Sequence, residues 1–167
     1  MHTEPRATSD ELAFLDGGGV MGAHIRAHDW SATPLDAPAS WPAPLRTAVR
    51  ILLTTNHPVF LFWGTQYTCL YNDAYSRSVG PEKHPSMLGA PGRMAWDEIW
   101  DVIGPQIELV MSGQGATWHE NQLIPITRHG RREDVYWTYS YSPVDDPSAA
   151  TGVASTRSSR SSTSWRC

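Results

Sequence analysis

Two short apolar segments separated by a turn constrain the fold of this chain more than any other part of its sequence. Val59–Trp63 reads VFLFW, residues 64–66 read GTQ, and residues 67–71 read YTCLY. β-branched and aromatic residues on both sides of a glycine-containing break predict a β-hairpin. Both faces of the first strand are apolar, so we expect both of its faces to be covered. The hairpin therefore predicts a sheet with a further layer on each side.

Helices are predicted before and after the hairpin. One apolar stripe recurs at helical spacing ahead of it: Leu45, Ala48, Val49, Leu52 and Leu53. Ser40 suits the N-cap of this helix, and Pro42 suits its first turn. Asn72 is expected to cap a short helix, DAYSRSV. Residues 95–112 predict a longer helix that Gly104-Pro105 should break or kink, because proline lacks the amide donor.

The second half of the chain predicts further strands. In VYWTYSYS, bulky Val135, Trp137 and Tyr139 alternate with residues that are mostly small and polar, which is the period of a strand with two unlike faces. Residues 116–127 also read as a strand, 128–134 as a polar turn, and 151–154 as a short last strand. Helices clustered inside one antiparallel meander predict an α+β domain.

Composition excludes several classes of protein. The net charge is −4, and the only basic cluster is Arg128 with Arg131 and Arg132, so we expect no nucleic-acid partner. No apolar run approaches the ~20 residues that span a bilayer, and the polar N-terminus does not resemble a signal peptide. Cys69 and Cys167 are lone cysteines, which argues against a disulfide framework and favours a reducing cytoplasm.

Four motifs that could indicate other chemistry are each better explained without it. Residues 17–22 (GGGVMG) match G-x-G-x-x-G but follow no buried strand, so a flexible turn is favoured over a nucleotide site. His24 and His28 lie four residues apart with no third metal ligand at a recognisable spacing. His119 lies in a predicted strand, whereas a phospho-acceptor histidine needs an exposed helix. The carboxylates of WDEIWD fall on a predicted solvated helix face, and we expect no enzyme activity.

Several blocks, in order, resemble a PAS domain. They are WSATPLDAPASWPAPLRTAVRILLTTNHPVFLFWG, LYNDAY, KHPSMLGAPG, WDEIWDVIGP, GQGATW and YWTYSYSPVDD, within residues 29–146. More narrowly, the chain is similar to the N-terminal PAS sensor module of bacterial sensor or hybrid histidine kinases. The resemblance implies a five-stranded antiparallel sheet that curls around a cavity. Short helices over one face, between the second and third strands, would form the other wall.

The resemblance leaves the cofactor unknown and disfavours two kinds. Blue-light PAS domains carry a reactive cysteine before the long helix, whereas the corresponding segment here, GAPGRMAW, has none and Cys69 lies on a strand. Haem-binding PAS domains use a histidine in the long helix, and residues 95–112 contain none. Flavin–cysteine photochemistry and haem are therefore disfavoured.

The resemblance also implies a function and a division of the chain. We expect an N-terminal arm over residues 1–40, partly irregular, a PAS domain over 41–154, and a disordered Ser/Arg-rich tail over 155–167. A truncation and a frameshift are both compatible with that tail. The module would bind a small ligand or partner and relay to a histidine-kinase-type output absent from this chain. The alternative is a stand-alone ligand-binding or dimerisation domain.

Two sets of candidate site residues follow. Aromatic and small polar residues are expected to line a ligand pocket: Trp63, Tyr71, Asn72, Tyr75, Trp96, Trp100, Trp118, Thr138 and Ser140. Residues assigned to the outer sheet face are expected to form a homodimer interface: Phe60, Phe62, Trp137 and Tyr139. An output kinase or a response regulator is the other expected partner. The sequence leaves open whether the rings enclose a ligand or simply fill a dry core.

Overall fold

Seven strands form one main sheet and one small hairpin. The computed structural model describes residues 10–147 and 151–161. Its strands are β1 Val59–Trp63, β2 Thr68–Tyr71, β3 Thr117–Leu123, β4 Ile126–Arg128, β5 Arg131–Glu133, β6 Val135–Val144 and β7 Gly152–Ser161. The main sheet is antiparallel in the order β2-β1-β7-β6-β3, and β4 pairs only with β5.

The helices surround this sheet. They are α1 Gly19–Ala27, α2 Ala43–Thr54, α3 Asp73–Val79, α4 Gly92–Ala95 and α5 Trp100–Met111, with 3-10 turns at Ala13–Leu15, Trp30–Ala32, Pro38–Ser40 and Asp97–Ile99. α3, α4 and α5 all lie between β2 and β3 in the chain. The predicted α+β class, with five antiparallel strands and short helices in the PAS arrangement, is confirmed.

Both faces of β1 are covered, as the hairpin predicts. All five of its residues are buried. Phe60 faces the layer formed by α3–α5, where its ring lies 4.8 Å from that of Tyr75 and 6.0 Å from that of Trp96. On the opposite side, Val59 and Leu61 face α2. We call the side of Phe60 the inner face of the sheet and the side of Leu61 its outer face.

The last strand is longer than the sequence predicts. A short strand over 151–154 and disorder from residue 155 were expected, yet β7 extends through Ser161. It pairs with β1 on one side and along the whole of β6 on the other. The prediction of disorder is therefore wrong for residues 155–161, because main-chain hydrogen bonds to two neighbours support a strand that has few apolar side chains. Residues 162–167, with Cys167, lie outside the described residues.

Three helix predictions need correction. Of the glycine-rich residues 17–22, Gly17 lies in a turn as predicted, but residues 19–22 form the start of α1, where the Asp73 carboxylate accepts hydrogen bonds from the amides of Val20 (3.0 Å) and Met21 (2.7 Å). Pro42, not Ser40, precedes α2. α5 continues through Pro105 without a break. The missing amide of Pro105 deprives only one carbonyl of its donor, and that carbonyl lies near the start of the helix.

Candidate ligand cavity on the inner face of the sheet

A small cavity lies between the inner face of the sheet and the layer of α3–α5. Its volume is about 30 Å³, and a cavity of about 10–15 Å³ is already enough to hold one water molecule. Aromatic and aliphatic side chains form most of its wall: Phe60, Phe62, Tyr75, Trp96, Ile99, Ile103, Ile124, Trp137, Tyr139 and Tyr141. Ser155 and Arg157, both on β7, complete it. The last strand therefore supplies the one charged side chain among the described residues of the wall.

Arg157 is a buried cation on the cavity wall. It is 7% exposed. Its guanidinium carbon lies 3.7 Å from the centre of the Tyr75 ring and 4.1 Å from that of the Trp137 ring. Nη2 donates a hydrogen bond of 2.7 Å to Ser78 Oγ, whereas Nε is buried and has no partner among the described residues. No carboxylate within the described ranges forms an ion pair with it.

The two rings and one hydrogen bond offset much of the energy required to bury this charge. A desolvated cation–π contact contributes about 2 kcal/mol, and two such contacts together with one hydrogen bond donated by the charged guanidinium stabilise the ion by about 6 kcal/mol. The effective penalty for burying an ion in a protein is also several kcal/mol. Burial lowers the pKa of Arg157 from its ordinary value, but an arginine remains charged at neutral pH. Arg157 is thus a cation that forms no ion pair with any residue that the structure describes.

Trp96 supplies a second donor without a partner. Its Nε1 is buried and has no acceptor among the residues that the structure describes. Its ring contacts Phe60 and Tyr75, and the Arg157 guanidinium carbon lies 5.9 Å from the ring centre. Buried donors in folded proteins are almost always satisfied, so two orphans at one small cavity require an explanation.

The tyrosines of the wall remain neutral. Burial raises the pKa of Tyr75 to about 12, and it also raises the pKa values of Tyr139 and Tyr141. The Tyr139 hydroxyl lies 2.8 Å from the side-chain oxygens of Gln106 and of Gln122. None of these phenols can act as a counter-ion for Arg157 at neutral pH.

Of the predicted pocket residues, the structure places Tyr75 and Trp96 on the cavity. Tyr71 is on the inner face, but its hydroxyl pairs with His84 Nδ1 at 2.9 Å and it does not line the cavity. Trp100 packs on Tyr67 and Phe62 beyond the cavity.

Asn72 does not line the cavity and instead connects three elements through hydrogen bonds. Its Oδ1 accepts from the amides of Val59 (3.1 Å) and Tyr75 (3.0 Å), and its Nδ2 donates to the carbonyls of Leu52, Thr55 and His57. The predicted capping of α3 by Asn72 is confirmed. Its polar groups are all used between α2, β1 and α3, so none points to a ligand.

The other four pocket candidates lie on the outer face. Trp63 lies two residues after Leu61 on β1 and therefore on the same face of the sheet. Trp118 on β3 pairs with Ser140 on β6. Thr138 lies two residues before Ser140 on β6 and therefore on the same face. Trp118 is 66% exposed. The prediction that these residues line a pocket is wrong, because the sheet presents them to the side away from α3–α5.

The four dimer-interface candidates lie on the inner face of the sheet, although they were expected on the outer face. Phe60, Phe62, Trp137 and Tyr139 are buried on the inner face and line the cavity, so they cannot form the predicted interface. A strand that is apolar on both sides gives no sign of which side is inner. The predicted side is therefore wrong for both β1 and β6.

Ser155 and Arg157 were missed because their segment was predicted to be disordered. One signal was available. The alternation of VYWTYSYS indicates a long strand with one buried face, and such a strand in a sheet requires a partner of similar length. Only the segment after residue 150 could supply one.

Other reactive groups do not form a site. Cys69 is buried on β2, and burial raises the pKa of its thiol well above the ordinary value, which keeps it protonated and unreactive. The described ranges contain no group of three His, Cys, Asp or Glu side chains that could hold a metal. Asp73 already occupies the N-terminus of α1, where a nucleotide phosphate would bind. Flavin and haem are both far larger than a cavity of about 30 Å³.

The fold is similar to solved PAS structures at low sequence identity. One is the sensory box sensor histidine kinase from Vibrio cholerae, with 11% identity, a TM-score of 0.49, and coverage of 68% of this chain and 90% of that chain. A second is a PAS domain from Colwellia psychrerythraea, with 13% identity, a TM-score of 0.49, and coverage of 70% of this chain and 96% of that chain. A third is the PAS domain of BvgS from Bordetella pertussis, with 18% identity, a TM-score of 0.38, and coverage of 68% of this chain and 82% of that chain.

No family model matches the sequence, and no curated protein matches it significantly. Because the structural similarities are weak, the strand order and register of the sheet carry the fold assignment. Within the described ranges, every helix is too short or too polar to cross a bilayer.

Proposed function

We propose that this chain is a cytoplasmic, non-enzymatic sensory module of the PAS type. It binds a small ligand or a partner and relays a change in packing to a histidine-kinase-type output on a longer protein or on a partner. The observation that carries the proposal is the cavity itself, where Arg157 Nε and Trp96 Nε1 are buried donors without acceptors.

The signal would pass through the layer of α3–α5. Tyr75 on α3, Trp96 after α4 and Ile103 on α5 all line the cavity, so an occupant contacts each of these helices and the sheet at once. A ligand changes an equilibrium only if it binds one arrangement more tightly than another. Two orphan donors give an occupant with acceptor atoms such a difference.

The test begins with native mass spectrometry and an absorption spectrum of the purified protein. A panel of metabolites and ions is then screened by the change in Tm. We expect at least one molecule that either co-purifies or raises Tm with saturation. Ser155→Val should abolish this effect, because it fills the cavity and removes a polar group. Thr156→Val, on the next residue and on the exposed outer face, should leave it unchanged.

If the screen finds no co-purifying or stabilising molecule, or if both variants respond equally, ligand sensing at this cavity is contradicted. The reading frame beyond Cys167 separates a sensor with its own kinase from a stand-alone module.

A second function, self-association, has its own observation. Three apolar side chains are exposed on the outer face of β3 and β6: Trp118 (66%), Leu123 (46%) and Tyr136 (40%). Leu123 pairs with Tyr136, and Trp118 pairs with Ser140, four residues further along β6. We propose that this outer patch forms a homodimer interface, in place of the four residues first assigned to it. Light scattering coupled to size exclusion tests this proposal, and a monomer at high concentration would contradict it.

A further inference from the structure

We propose that the dimer is reciprocal, with Trp118 of each copy entering an apolar groove between α2 and the outer face of the sheet of the other copy. The proposal rests on the self-association proposed above and names the surface that receives the outer patch.

The groove lies at the junction of α2 with the outer face of the sheet. Six apolar side chains form most of its lining: Pro44, Ala48, Ile51, Leu61, Val144 and Ala154. Thr47 is the one polar side chain among the described residues of the lining. The groove is open, since Thr47 is exposed and Ile51 is 61% exposed. An exposed apolar surface of this kind is typical of a site that another macromolecule covers.

Trp118 lies on the same face of the sheet as the groove. It pairs with Ser140, Ser140 pairs with Thr156, and Thr156 pairs with Val59, which also lines the groove. This row of paired residues crosses three strand spacings, or about 14 Å. Its two middle residues are small, so they leave room for a second sheet to approach. Each copy therefore carries a projecting ring and an apolar groove side by side on one open face.

This arrangement is self-complementary under two-fold symmetry. In a two-fold dimer, a contact of one residue with another is always repeated with the two copies exchanged. A two-fold axis that lies in the interface, parallel to the strands and midway between Trp118 and the groove, places each ring opposite the groove of the other copy. Both contacts form together, and the assembly closes at two copies.

Charge favours a second copy of this chain as the occupant. Glu120 is exposed and lies two residues after Trp118 on β3. Arg50 is exposed, precedes Ile51 on α2 and forms no ion pair within the described ranges. The pairing of the strands places Glu120 towards the end of the sheet where β1 begins and α2 ends. An axis parallel to the strands preserves this direction, so Glu120 of one copy comes to the same end as Arg50 of the other.

The experiment is photo-cross-linking of the full chain with benzoylphenylalanine in place of Thr47. Isotope-labelled and unlabelled chains are mixed, so that mass spectrometry separates cross-links between copies from those within one chain. We expect cross-links between copies that end on β3 near Trp118. The same photo-reactive residue in place of Met94, which is exposed on α4 in the layer over the inner face, should give none. Cross-links confined to one chain, or cross-links between copies that miss β3, overturn the proposal.

Two variants at exposed apolar residues measure the contribution of the groove. Ile51→Lys places a charge at the groove and should raise the dimer–monomer midpoint about tenfold or more, with an unchanged circular dichroism spectrum. Leu109→Lys is the matched control, because Leu109 is 40% exposed on α5, on the opposite side of the sheet, and it should leave the midpoint unchanged. An unchanged midpoint in Ile51→Lys overturns the proposal.

A double variant tests whether Ile51 and Trp118 form one contact. Residues that share a contact have non-additive effects. Ile51→Lys combined with Trp118→Ser should therefore raise the midpoint no further than the larger single change, and additive effects overturn the proposal. A dimer that depends on Trp118 but not on Ile51 leaves self-association standing and overturns the reciprocal contact. A monomer at high concentration contradicts both.

Discussion

The two faces of β6 show how differently one strand can be used. On the inner face, Trp137, Tyr139 and Tyr141 are buried around the cavity; on the outer face, Tyr136 is 40% exposed and Thr138 is half-buried. Tyr136 and Tyr139 are the same residue type with opposite environments. The difference is therefore set by which side α3–α5 cover, and not by the polarity of the residue. At β6 the inner face is therefore packed into the core, and the outer face is partly exposed to solvent.

The largest expected effect comes from two adjacent residues on opposite faces. Trp137→Ala removes a ring that is 3% exposed, packs on Arg157 and donates to the Ile124 carbonyl at 2.9 Å. It should lower the free energy of unfolding by about 3–5 kcal/mol. Tyr136→Ala should change it by less than about 1 kcal/mol. Urea unfolding followed by circular dichroism measures both values. Equal losses would show that the two faces are not distinguished by burial.

A smaller effect is expected at Asn72, which joins the outer layer to the inner one. Its side chain connects the end of α2 with β1 and α3. Asn72→Ala leaves buried amides and carbonyls without partners and should lower the free energy of unfolding by about 2–4 kcal/mol. Gln114→Ala is the control, since Gln114 is exposed and its amide donates only to Ser112 Oγ among the bonds described. A loss below that of the control would mean that the two layers hold together without Asn72.

Trp118 tests the outer face without disturbing the core. Trp118→Ser should change the free energy of unfolding by less than about 0.5 kcal/mol, because the ring is already in solvent. It should shift the dimer–monomer midpoint to a higher protein concentration. Sedimentation velocity over a dilution series measures the midpoint, and Met94→Ser, at another exposed apolar residue away from the sheet, serves as the control. An unchanged midpoint in Trp118→Ser would remove the outer patch from the interface.

The smallest effect should come from His84, on the loop packed against α1. Burial, and then the nearby His24, lower the pKa of His84 below its ordinary value. The folded state therefore disfavours the protonated ring, so the contribution of His84 to stability is complete above about pH 6.5 and is lost as the pH falls through the lowered pKa. His84→Gln should reduce the decrease in Tm between pH 7 and pH 5. An unchanged decrease would show that His84 does not contribute to it.

Much of this arrangement could be predicted from the sequence. The apolar run of β1 and the capping Asn72 predicted the hairpin and α3, because strand composition and caps are local signals. The two-residue period of β6 predicted two unlike faces. The side that faces inward was not predictable, because it depends on where α2 and α3–α5 pack. Arg157 was missed because the support for β7 comes from its neighbouring strands and not from its own composition.

The first residues of α3 give the inner layer a mechanical connection to the rest of the molecule. Asn72 is anchored to the carbonyl end of α2, and the next residue, Asp73, is anchored to the amide end of α1. Tyr75, two positions further on, touches Arg157. A displacement of Tyr75 by an occupant would tilt α3 about this pair of anchors, and the tilt would pull on both flanking helices together. Residues 72–73 thus tie the start of α3 to both α1 and α2.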